Sequence, residues 1–326
     1  MNYGAAHRVA RSGRTGGRIL PVFIITMLTS FLLAACGSPS SGKSAVASTP
    51  DRSPATSTPD RAEGARDISE SLKALEAQFD ARVGIVAIDT GTTSKIEYRA
   101  DTRFGYASAL KAFAAAQFLH AVDPRGREDR VTWSKEDVAA AGYSPVTSKH
   151  IPDGLTLAQL AESAVRESDN TAMNLVLQRI GGPAGLDSAL SRLGDTTTEV
   201  VNTEPDLNTI EPGTSDDTTT PAAFTADLAA YLDGSVLNDS DRTLLIDWMS
   251  GNATGDSLIR AGAPKGWAVA DKSGGAGAIR NDVALVTPPG RDPIVVTILT
   301  TKNNTSAKYD DELVARAAAL TLTAFG

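Results

Sequence analysis

The distribution of apolar residues divides the chain into strand-like and helix-like stretches. Two short strand-like runs, Val83–Ile88 and Lys95–Arg99, flank Gly91 and predict a β-hairpin. Apolar residues recur with a helical period at Ser69–Phe79, and the Ala-rich, apolar segment Ser108–Val122 predicts a largely buried helix. Further helical stretches are predicted at Thr156–Glu167, Asn170–Ile180, Gly185–Leu193, Pro221–Leu232 and Ser240–Met249. Further strands are predicted at Trp267–Lys272, Asn281–Val286 and Ile294–Thr300, followed by a closing helix at Lys308–Phe325.

The order of these elements predicts the fold class. Two strands, a helical middle, three strands and a last helix describe an α/β fold, in which an antiparallel sheet is flanked by helices and carries an inserted all-helical lobe. We expect residues 67–326 to form this domain, with a sheet lobe at 67–105 and 262–326 and a helical lobe at 106–261. Ligand clefts favour such junctions, so the functional site is expected between the two lobes.

The first residues carry the pattern of an export signal. Four arginines and no acidic residue precede an apolar run at Ile19–Ala35, which predicts a signal peptide over residues 1–35. The run ends at Leu33–Cys36, which resembles the lipobox of bacterial lipoproteins and implies that Cys36 is lipidated. A plain cleaved signal and a membrane-spanning anchor stay open, because about 17 apolar residues lie at the short limit for crossing a bilayer. We expect an envelope protein, lipid-anchored to a membrane and facing the periplasm or the exterior.

Composition narrows the class of protein. Residues 36–66 are dominated by Ser, Pro, Ala and Thr and predict a flexible linker. Cys36 is the only cysteine, so the domain has no disulfide and no thiolate for catalysis or zinc. Four of the 31 basic residues lie in the signal, which leaves 27 basic against 39 acidic residues and a net charge of −12. This acidic balance argues against a nucleic-acid partner. We also expect a monomer whose partner is a small molecule.

Four short motifs that can carry chemistry follow one another along the domain: Ser108–Lys111, Ser168–Asn170, Glu204–Asn208 and Lys272–Gly274. Each is weak alone, because S-x-x-K also occurs at Ser40 in the linker, and such residues also cap helices or line solvated loops. In chain order, the first motif supplies a hydroxyl with an amine one helical turn further on, and the second supplies a hydroxyl beside an amide. The third motif supplies a carboxylate beside an amide, and the fourth supplies an amine beside a hydroxyl. Such a set can form an acyl-enzyme and then hydrolyse it.

The first motif has the properties of an activated nucleophile. Ser108 begins a predicted helix and Lys111 lies one turn further on, so both side chains share a face. The unpaired N–H groups at the helix N-terminus favour an oxyanion beside Ser108. Ser108 needs a base, and Lys111 can serve if burial or neighbouring charges keep its amine partly neutral.

The chain resembles the class A β-lactamases, whose S-x-x-K, S-D-N and K-T-G motifs match Ser108–Lys111, Ser168–Asn170 and Lys272–Gly274. The resemblance covers residues 68–326 and includes further segments at Tyr143–His150, Asp217–Pro221, Leu245–Met249 and Trp267–Lys272. It implies a β-lactamase/transpeptidase-like fold. It also implies an enzyme that hydrolyses the amide of penicillins and cephalosporins through acyl-Ser108, gives antibiotic resistance, and uses no metal or other cofactor.

The resemblance assigns the proton-transfer roles. Either Lys111 or Glu204, acting through a water, is the acylation base, and both alternatives stay open here. Ser168 passes a proton to the leaving nitrogen, and Asn170 holds the side-chain amide of the substrate. Glu204 and Asn208 hold a water that is aimed at the acyl carbonyl.

The resemblance assigns substrate binding to the last motif and its surroundings. Lys272 and Ser273, followed by Gly274, bind the carboxylate that penicillins and cephalosporins carry. Arg280 is the candidate for the additional carboxylate-binding arginine of the family. The segment from Lys272 to Asn281 is one residue shorter than in close relatives, which affects the edge of the cleft.

The oxyanion hole and the cleft mouth complete the expected site. The backbone N–H groups of Gly275 and Ser108 form the oxyanion hole, and Tyr143 lines the mouth. The chain departs from the family at Asn202, where most members carry an arginine paired with the acid at Asp217. We therefore expect this ion pair to be missing.

Other kinds of site are poorly supported. His7, His120 and His150 form no H-x-x-x-H motif and have no cysteine partner, which argues against a zinc hydrolase. No G-x-S-x-G is present for a Ser-His-Asp triad, and Gly274–Gly277 joins two predicted strands, unlike a dinucleotide-binding loop. Two alternatives to a β-lactamase remain: a penicillin-binding DD-peptidase, which lacks a deacylating acid such as Glu204, and a non-catalytic β-lactam-binding envelope lipoprotein.

Overall fold

The computed structural model describes residues 61–326, with side chains from residue 68 onwards. The predicted signal peptide at 1–35, Cys36 and most of the predicted linker lie outside the described residues. Within residues 61–326, no helix combines the length and the apolar character that a membrane crossing needs.

The described region contains short and long strands separated by helices. The strands, in chain order, are β1 (Ala81–Asp89), β2 (Lys95–Tyr98), β3 (Phe104–Gly105), β4 (Arg130–Val131), β5 (Leu155–Thr156), β6 (Thr218–Thr219), β7 (Ala268–Ala276), β8 (Ile279–Thr287) and β9 (Ile294–Lys302). The α-helices are α1 (Arg61–Phe79), α2 (Leu110–Ala121), α3 (Lys135–Ala141), α4 (Leu157–Arg166), α5 (Asn170–Arg179), α6 (Gly182–Leu193), α7 (Pro221–Leu232), α8 (Asp239–Ser250), α9 (Ile259–Gly262) and α10 (Asp311–Thr323).

One antiparallel sheet, with the strand order β2-β1-β9-β8-β7, forms the sheet lobe of the described region. β8 and β9 are buried almost throughout because helices pack on the sheet. The apolar residues of β9 and of the second half of β8 fit this burial. β1 pairs with β9 along its whole length, from Ala81 opposite Lys302 to Asp89 opposite Ile294. The predicted fold class is confirmed: an antiparallel sheet, flanked by helices, with the helical lobe inserted between β2 and β7.

The predicted end of β7 is wrong. The prediction ended the strand at Lys272, whereas β7 runs on to Ala276 in register with the start of β8. Gly274 therefore lies within a strand, and the turn consists of Gly277 and Ala278 alone, with φ of 52° at Gly277. Glycines are poor strand formers, so pairing with β8 rather than local propensity extends the strand.

Most predicted helices are present, with boundaries shifted by a few residues. α1 begins at Arg61 rather than Ser69 and extends into the segment predicted as linker, where Ala and Glu favour a helix. α3 was not predicted, because Val138 is its only large apolar residue. It begins after Ser134, which forms a capping box with Asp137.

Two buried apolar clusters make up the interior of the described domain. Residues 110–119 of α2 are all buried and form the centre of the helical lobe, in contact with α4, α5 and α8. The second cluster lies between the sheet, α1 and α10. β7 packs against the turn that precedes α2, so the last sheet strand and the central helix meet at the junction of the two lobes.

Two carboxyl groups face each other where the loop after α6 meets α7. Asp227 of α7 is 2% exposed, and Asp195 follows the C-terminus of α6. One buried oxygen of each has no partner except the opposing carboxyl group, and two such oxygens form a hydrogen bond only when one carries a proton. Burial, followed by the neighbouring Asp195, raises the pKa of Asp227 to about 9. Asp227 is therefore protonated at neutral pH.

Asp227→Asn is expected to raise thermal stability at pH 8 but not at pH 4. The pKa of Asp227 is higher in the folded than in the unfolded state, so between about pH 4 and pH 9 the folded state binds more protons and the free energy of unfolding falls as pH rises. The asparagine keeps a neutral donor for Asp195 and removes this loss. We expect the melting temperature at pH 8 to rise by about 2–4 °C, the equivalent of about 1 kcal/mol in a domain of this size.

Calorimetry of wild type and variant at both pH values measures this difference. Asp153→Asn, at an exposed position, is the matched control and should change the melting temperature little at either pH. An equal gain at pH 4 and pH 8 would show that the effect of Asp227→Asn does not depend on proton binding.

Candidate active site

A cleft of about 490 Å³ lies at the junction of the two lobes and gathers the predicted site residues. Residues of the predicted site that line it are Ser108, Tyr143, Ser168, Asn170, Asn208, Ser273, Gly275 and Arg280. Tyr143 is 60% exposed, in agreement with its predicted position at the cleft mouth. Lys111, Glu204 and Lys272 are buried beside the lining residues, and Gly274 lies in β7 next to them.

Ser108 lies in a 3-10 turn, Ala107–Ala109, that leads directly into α2. β7 approaches this turn so closely that a Cβ atom on Gly274 would lie 2.7 Å from the backbone N of Ala109. A glycine is therefore required at that position, and the close approach brings the edge of the sheet beside the nucleophile. The Ser108 hydroxyl donates a hydrogen bond to Oε1 of Glu204 over 3.1 Å.

Lys111 is fully buried and its amine is surrounded by acceptors. Nζ donates to the backbone O of Ser168 at 2.7 Å and to Oδ1 of Asn170 at 2.6 Å, and it lies 2.9 Å from Oε1 of Glu204. Burial lowers the pKa of Lys111, although the charge of Glu204 acts in the opposite direction. Burial thus favours the neutral form of the amine.

Glu204 is held from its side chain and from its backbone. Its Oε1 is shared by Ser108 and Lys111, and its Oε2 accepts a hydrogen bond from Nδ2 of Asn208 at 2.6 Å. The amide of Asn174 bonds both to the backbone N–H of Glu204 and to its carbonyl, each over 2.9 Å. The sequence analysis missed Asn174, which lies one turn beyond Asn170 on α5, and that spacing is the signal that could have identified it.

The base of the loop that carries Glu204 is held at Asp217, which is completely buried. The ion pair expected to be missing is indeed absent from this position, because Asn202 cannot carry charge. Nδ2 of Asn202 donates to Asp217 over 2.6 Å, and the backbone N–H groups of Val201 and Asn202 donate to the other oxygen of the same carboxylate. The Tyr106 hydroxyl adds a fourth hydrogen bond of 2.6 Å. Neutral donors therefore take the place of the arginine.

Ser168 lies between the two lysines of the site. It occupies the break between α4 and α5 with φ of 55°, and Asp169 caps α5 by accepting from the backbone N–H of Ala172. The Ser168 hydroxyl accepts from Nζ of Lys272 at 3.1 Å and from Nζ of Lys111 at 3.4 Å. Burial, assisted by the charge of Lys111, lowers the pKa of Lys272 to about 7. A proton can thus move between either lysine and Ser168.

Arg280 forms part of the cleft wall. It lies opposite Gly275 in the pairing of β7 with β8, and its Nε donates to Oδ1 of Asp311 over 2.6 Å. Its guanidinium lies 4.8 Å from the ring centre of Tyr309. The ion pair and the ring hold the guanidinium at the cleft.

The described side chains contain no group of three or more His, Cys, Asp and Glu residues that could hold a metal ion. What they bring together is a hydroxyl, a carboxylate, two buried amines and a second hydroxyl. This combination can transfer an acyl group to a serine and then to water.

The chain matches the beta-lactamase enzyme family over residues 67–325. A protein from Bacillus amyloliquefaciens named beta-lactamase is 48% identical over 249 residues, which cover 76% of this chain and 81% of the relative. Beta-lactamase 3 from Bacillus cereus is 43% identical over 249 residues, or 76% of this chain and 78% of the relative. The crystal structure of a class A β-lactamase from Clostridium kluyveri is 44% identical, with a TM-score of 0.77, over 80% of this chain and 99% of that one.

The chain belongs to the class A β-lactamases. The predicted serine β-lactamase activity is confirmed: the enzyme hydrolyses the amide of β-lactams, in agreement with a role in antibiotic resistance. A β-lactamase from Streptomyces albus G has the same fold at 37% identity, with a TM-score of 0.77 over 80% of this chain and all of that one.

Proposed function

We propose that this β-lactamase forms and hydrolyses an acyl-Ser108 intermediate with the residues of the cleft, and that it acts while anchored to a membrane through Cys36. The observation that carries the first part is one continuous chain of contacts from Ser108 through Glu204 and Lys111 to Ser168 and Lys272. All the members of this chain after Ser108 are buried, so their protons exchange with one another more readily than with solvent.

Acylation begins when Oγ of Ser108 attacks the carbonyl carbon of the β-lactam amide. Its proton passes to Glu204 or Lys111, and the direct 3.1 Å hydrogen bond supports Glu204 in this role. The backbone N–H groups of Ser108 and Gly275 stabilise the developing oxyanion. When the C–N bond breaks, the nitrogen takes a proton from the Ser168 hydroxyl, and a lysine replaces that proton.

Deacylation uses the other oxygen of the same carboxylate. A water held between Glu204 and Asn208 gives a proton to Glu204 and attacks the ester carbonyl. The ester C–O bond then breaks, and the proton passes from Glu204 to Oγ of Ser108, which restores the free hydroxyl. The support for this step is the 2.6 Å hydrogen bond from Asn208 to Oε2 and the fixation of the Glu204 backbone by Asn174. The acid and the amide are thereby held in one position next to the nucleophile.

Recognition of the substrate relies on the charge of its carboxylate. Ser273 of β7 lines the cleft, Lys272 is buried directly beside it, and Arg280 adds a second cation. Asn170, already bonded to Lys111, lines the cleft where it can contact the side-chain amide of the substrate, and Tyr143 borders the mouth. No metal or other cofactor has a part in these steps.

Peptide mapping of a reaction with benzylpenicillin, quenched in acid within milliseconds, tests the assignment of the nucleophile. The acyl group should lie on the peptide that contains Ser108, and Ser108→Ala should show neither adduct nor hydrolysis. An acyl group on another serine, or hydrolysis by Ser108→Ala, would contradict the proposal.

The membrane anchor rests on the sequence of the export signal, in which the apolar run stops at Cys36. A lipidated Cys36 followed by a linker rich in Ser, Thr and Pro would tether a monomeric domain to the membrane surface and leave its cleft open to solvent. The alternative is a signal that is cleaved without lipidation and releases the enzyme.

Cys36→Ala is expected to move the enzyme from the membrane fraction to the soluble fraction, with its specific activity unchanged. Fractionation of cells that express wild type or variant, followed by a chromogenic cephalosporin assay, measures the distribution. Ser38→Ala, two residues further on, is the matched control and should stay with the membrane. Continued membrane association of Cys36→Ala would favour a spanning anchor instead.

A further inference from the structure

A chain of polar groups lies behind the carboxylate-binding end of the cleft. It runs from Asn252, which follows α8, through Thr254 to Ser273 of β7. Oγ1 of Thr254 lies 2.8 Å from Oδ1 of Asn252 and 2.6 Å from Oγ of Ser273. Thr254 and Ser273 both line the cleft, whereas Asn252 is buried. The hydroxyl of Thr254 thus connects a buried amide with a substrate-binding hydroxyl.

The orientation of the Asn252 amide is determined by its surroundings. Its Oδ1 lies 2.8 Å from the backbone N–H of Thr254, which can only donate. Its Nδ2 donates to the backbone O of Asp271 at 3.1 Å and to Oδ2 of Asp271 at 2.8 Å. The group that faces the Thr254 hydroxyl is therefore an oxygen, which can only accept.

This orientation decides which way the two hydroxyl protons point. Thr254 has one hydroxyl proton, and it donates this proton to Oδ1 of Asn252. The 2.6 Å contact between the two hydroxyls then needs a proton from Ser273. In the free enzyme the proton of Ser273 consequently points towards Thr254 and away from the cleft.

We propose that Thr254 is a positioning residue that weakens the binding of the substrate carboxylate by holding the hydroxyl proton of Ser273. This inference rests on the proposed role of Ser273 as a carboxylate ligand. When a carboxylate binds, Ser273 must turn its proton into the cleft. Two lone pairs then face each other across 2.6 Å, unless Thr254 gives up its bond to Asn252. In both cases the enzyme gains a hydrogen bond from Ser273 to the substrate carboxylate and loses one hydrogen bond of Thr254.

The exchange limits affinity in the ground state and contributes nothing to bond breaking. A residue that acts on carboxylate binding alone changes KM and leaves kcat nearly constant. The product keeps the same carboxylate, so the affinity of the enzyme for the product is lowered as well. The position of one threonine hydroxyl therefore sets how tightly both substrate and product bind.

Removal of that hydroxyl tests the proposal. Thr254→Val keeps the shape of the side chain and frees the Ser273 proton, so benzylpenicillin should bind about 2- to 13-fold more tightly, the equivalent of one neutral hydrogen bond. Calorimetric titration in a Ser108→Ala background gives the Kd without turnover. The methyl ester of benzylpenicillin should gain less, because its neutral oxygen forms a weaker hydrogen bond. Thr254→Ser, which keeps the hydroxyl, should restore the affinity towards that of wild type.

Each result of the titration has a definite meaning. An unchanged or weaker affinity in Thr254→Val overturns the proposal, because it would show that Thr254 donates to Ser273 or does not act on it. Thr254→Ala repeats the measurement if the valine variant does not fold, and steady-state kinetics on the Ser108 enzyme should show a lower KM with kcat nearly constant. Hydrolysis by Ser108→Ala would refute the proposed function itself, whatever the effect of Thr254.

Discussion

Glu204→Ala is expected to react with penicillin and then to stall as an acyl-enzyme. Deacylation loses its general base, a loss that typically costs about 10²- to 10⁴-fold in rate. Acylation survives, because Lys111 is fully buried and the charge of Glu204 is what opposes the lowering of its pKa by burial. Without Glu204, burial shifts the Lys111 amine further towards its neutral form, which can accept the proton of Ser108.

Intact-mass spectrometry after mixing with benzylpenicillin measures this stall. Glu204→Ala should carry one penicilloyl adduct for minutes, while wild type shows little adduct and rapid turnover. Asp206→Ala removes an exposed acid from the same loop and should behave like wild type. A wild type that keeps its adduct as long as the variant would indicate a penicillin-binding protein rather than a hydrolase.

Lys111→Met is expected to slow the acylation step itself by about 10²- to 10⁴-fold, the usual contribution of general acid–base catalysis. Lys111 is the cation beside the buried carboxylate of Glu204, at 2.9 Å. Its removal takes away one candidate base and also the cation in contact with the Glu204 carboxylate, so the buried chain of groups that receives the Ser108 proton is interrupted. The variant should therefore show slow consumption of penicillin and no persistent adduct.

Rapid-quench measurement of adduct formation separates this variant from Glu204→Ala. Lys265→Met, at an exposed position away from the cleft, is the matched control and should acylate at the wild-type rate. The double variant of Lys111→Met and Glu204→Ala has no base in contact with Ser108 and should not acylate measurably. Fast acylation of Lys111→Met would show that Glu204 acts as a base without the help of the lysine.

The sequence alone was sufficient for those properties that depend on neighbouring residues. The Ala-rich, apolar composition of α2 and the apolar residues of β8 and β9 were enough to locate these elements, because the composition of each segment reflects its burial. The four motifs were recognisable because the nucleophile and its lysine, or the acid and its amide, lie within one turn of each other. The family followed from the order of the motifs.

Tertiary structure decided the contacts between segments that are distant in sequence. Asn174 holds Glu204 across 30 positions, and Asn202 bonds to the buried Asp217. Neither role can be derived from local pattern, because an asparagine has the same propensities whether or not a loop folds over it. The extension of β7 through two glycines likewise depends on pairing with β8.

Protonation is the clearest case of a property that only the folded chain determines. In the sequence, Lys111, Lys272 and Asp227 are ordinary charged residues. The fold removes each from water and places charges beside it, which lowers the pKa of Lys111, brings that of Lys272 to about 7 and raises that of Asp227 to about 9. The residues of this enzyme could be named from its sequence, but their charge states follow from burial and from neighbours that only the packing of the two lobes supplies.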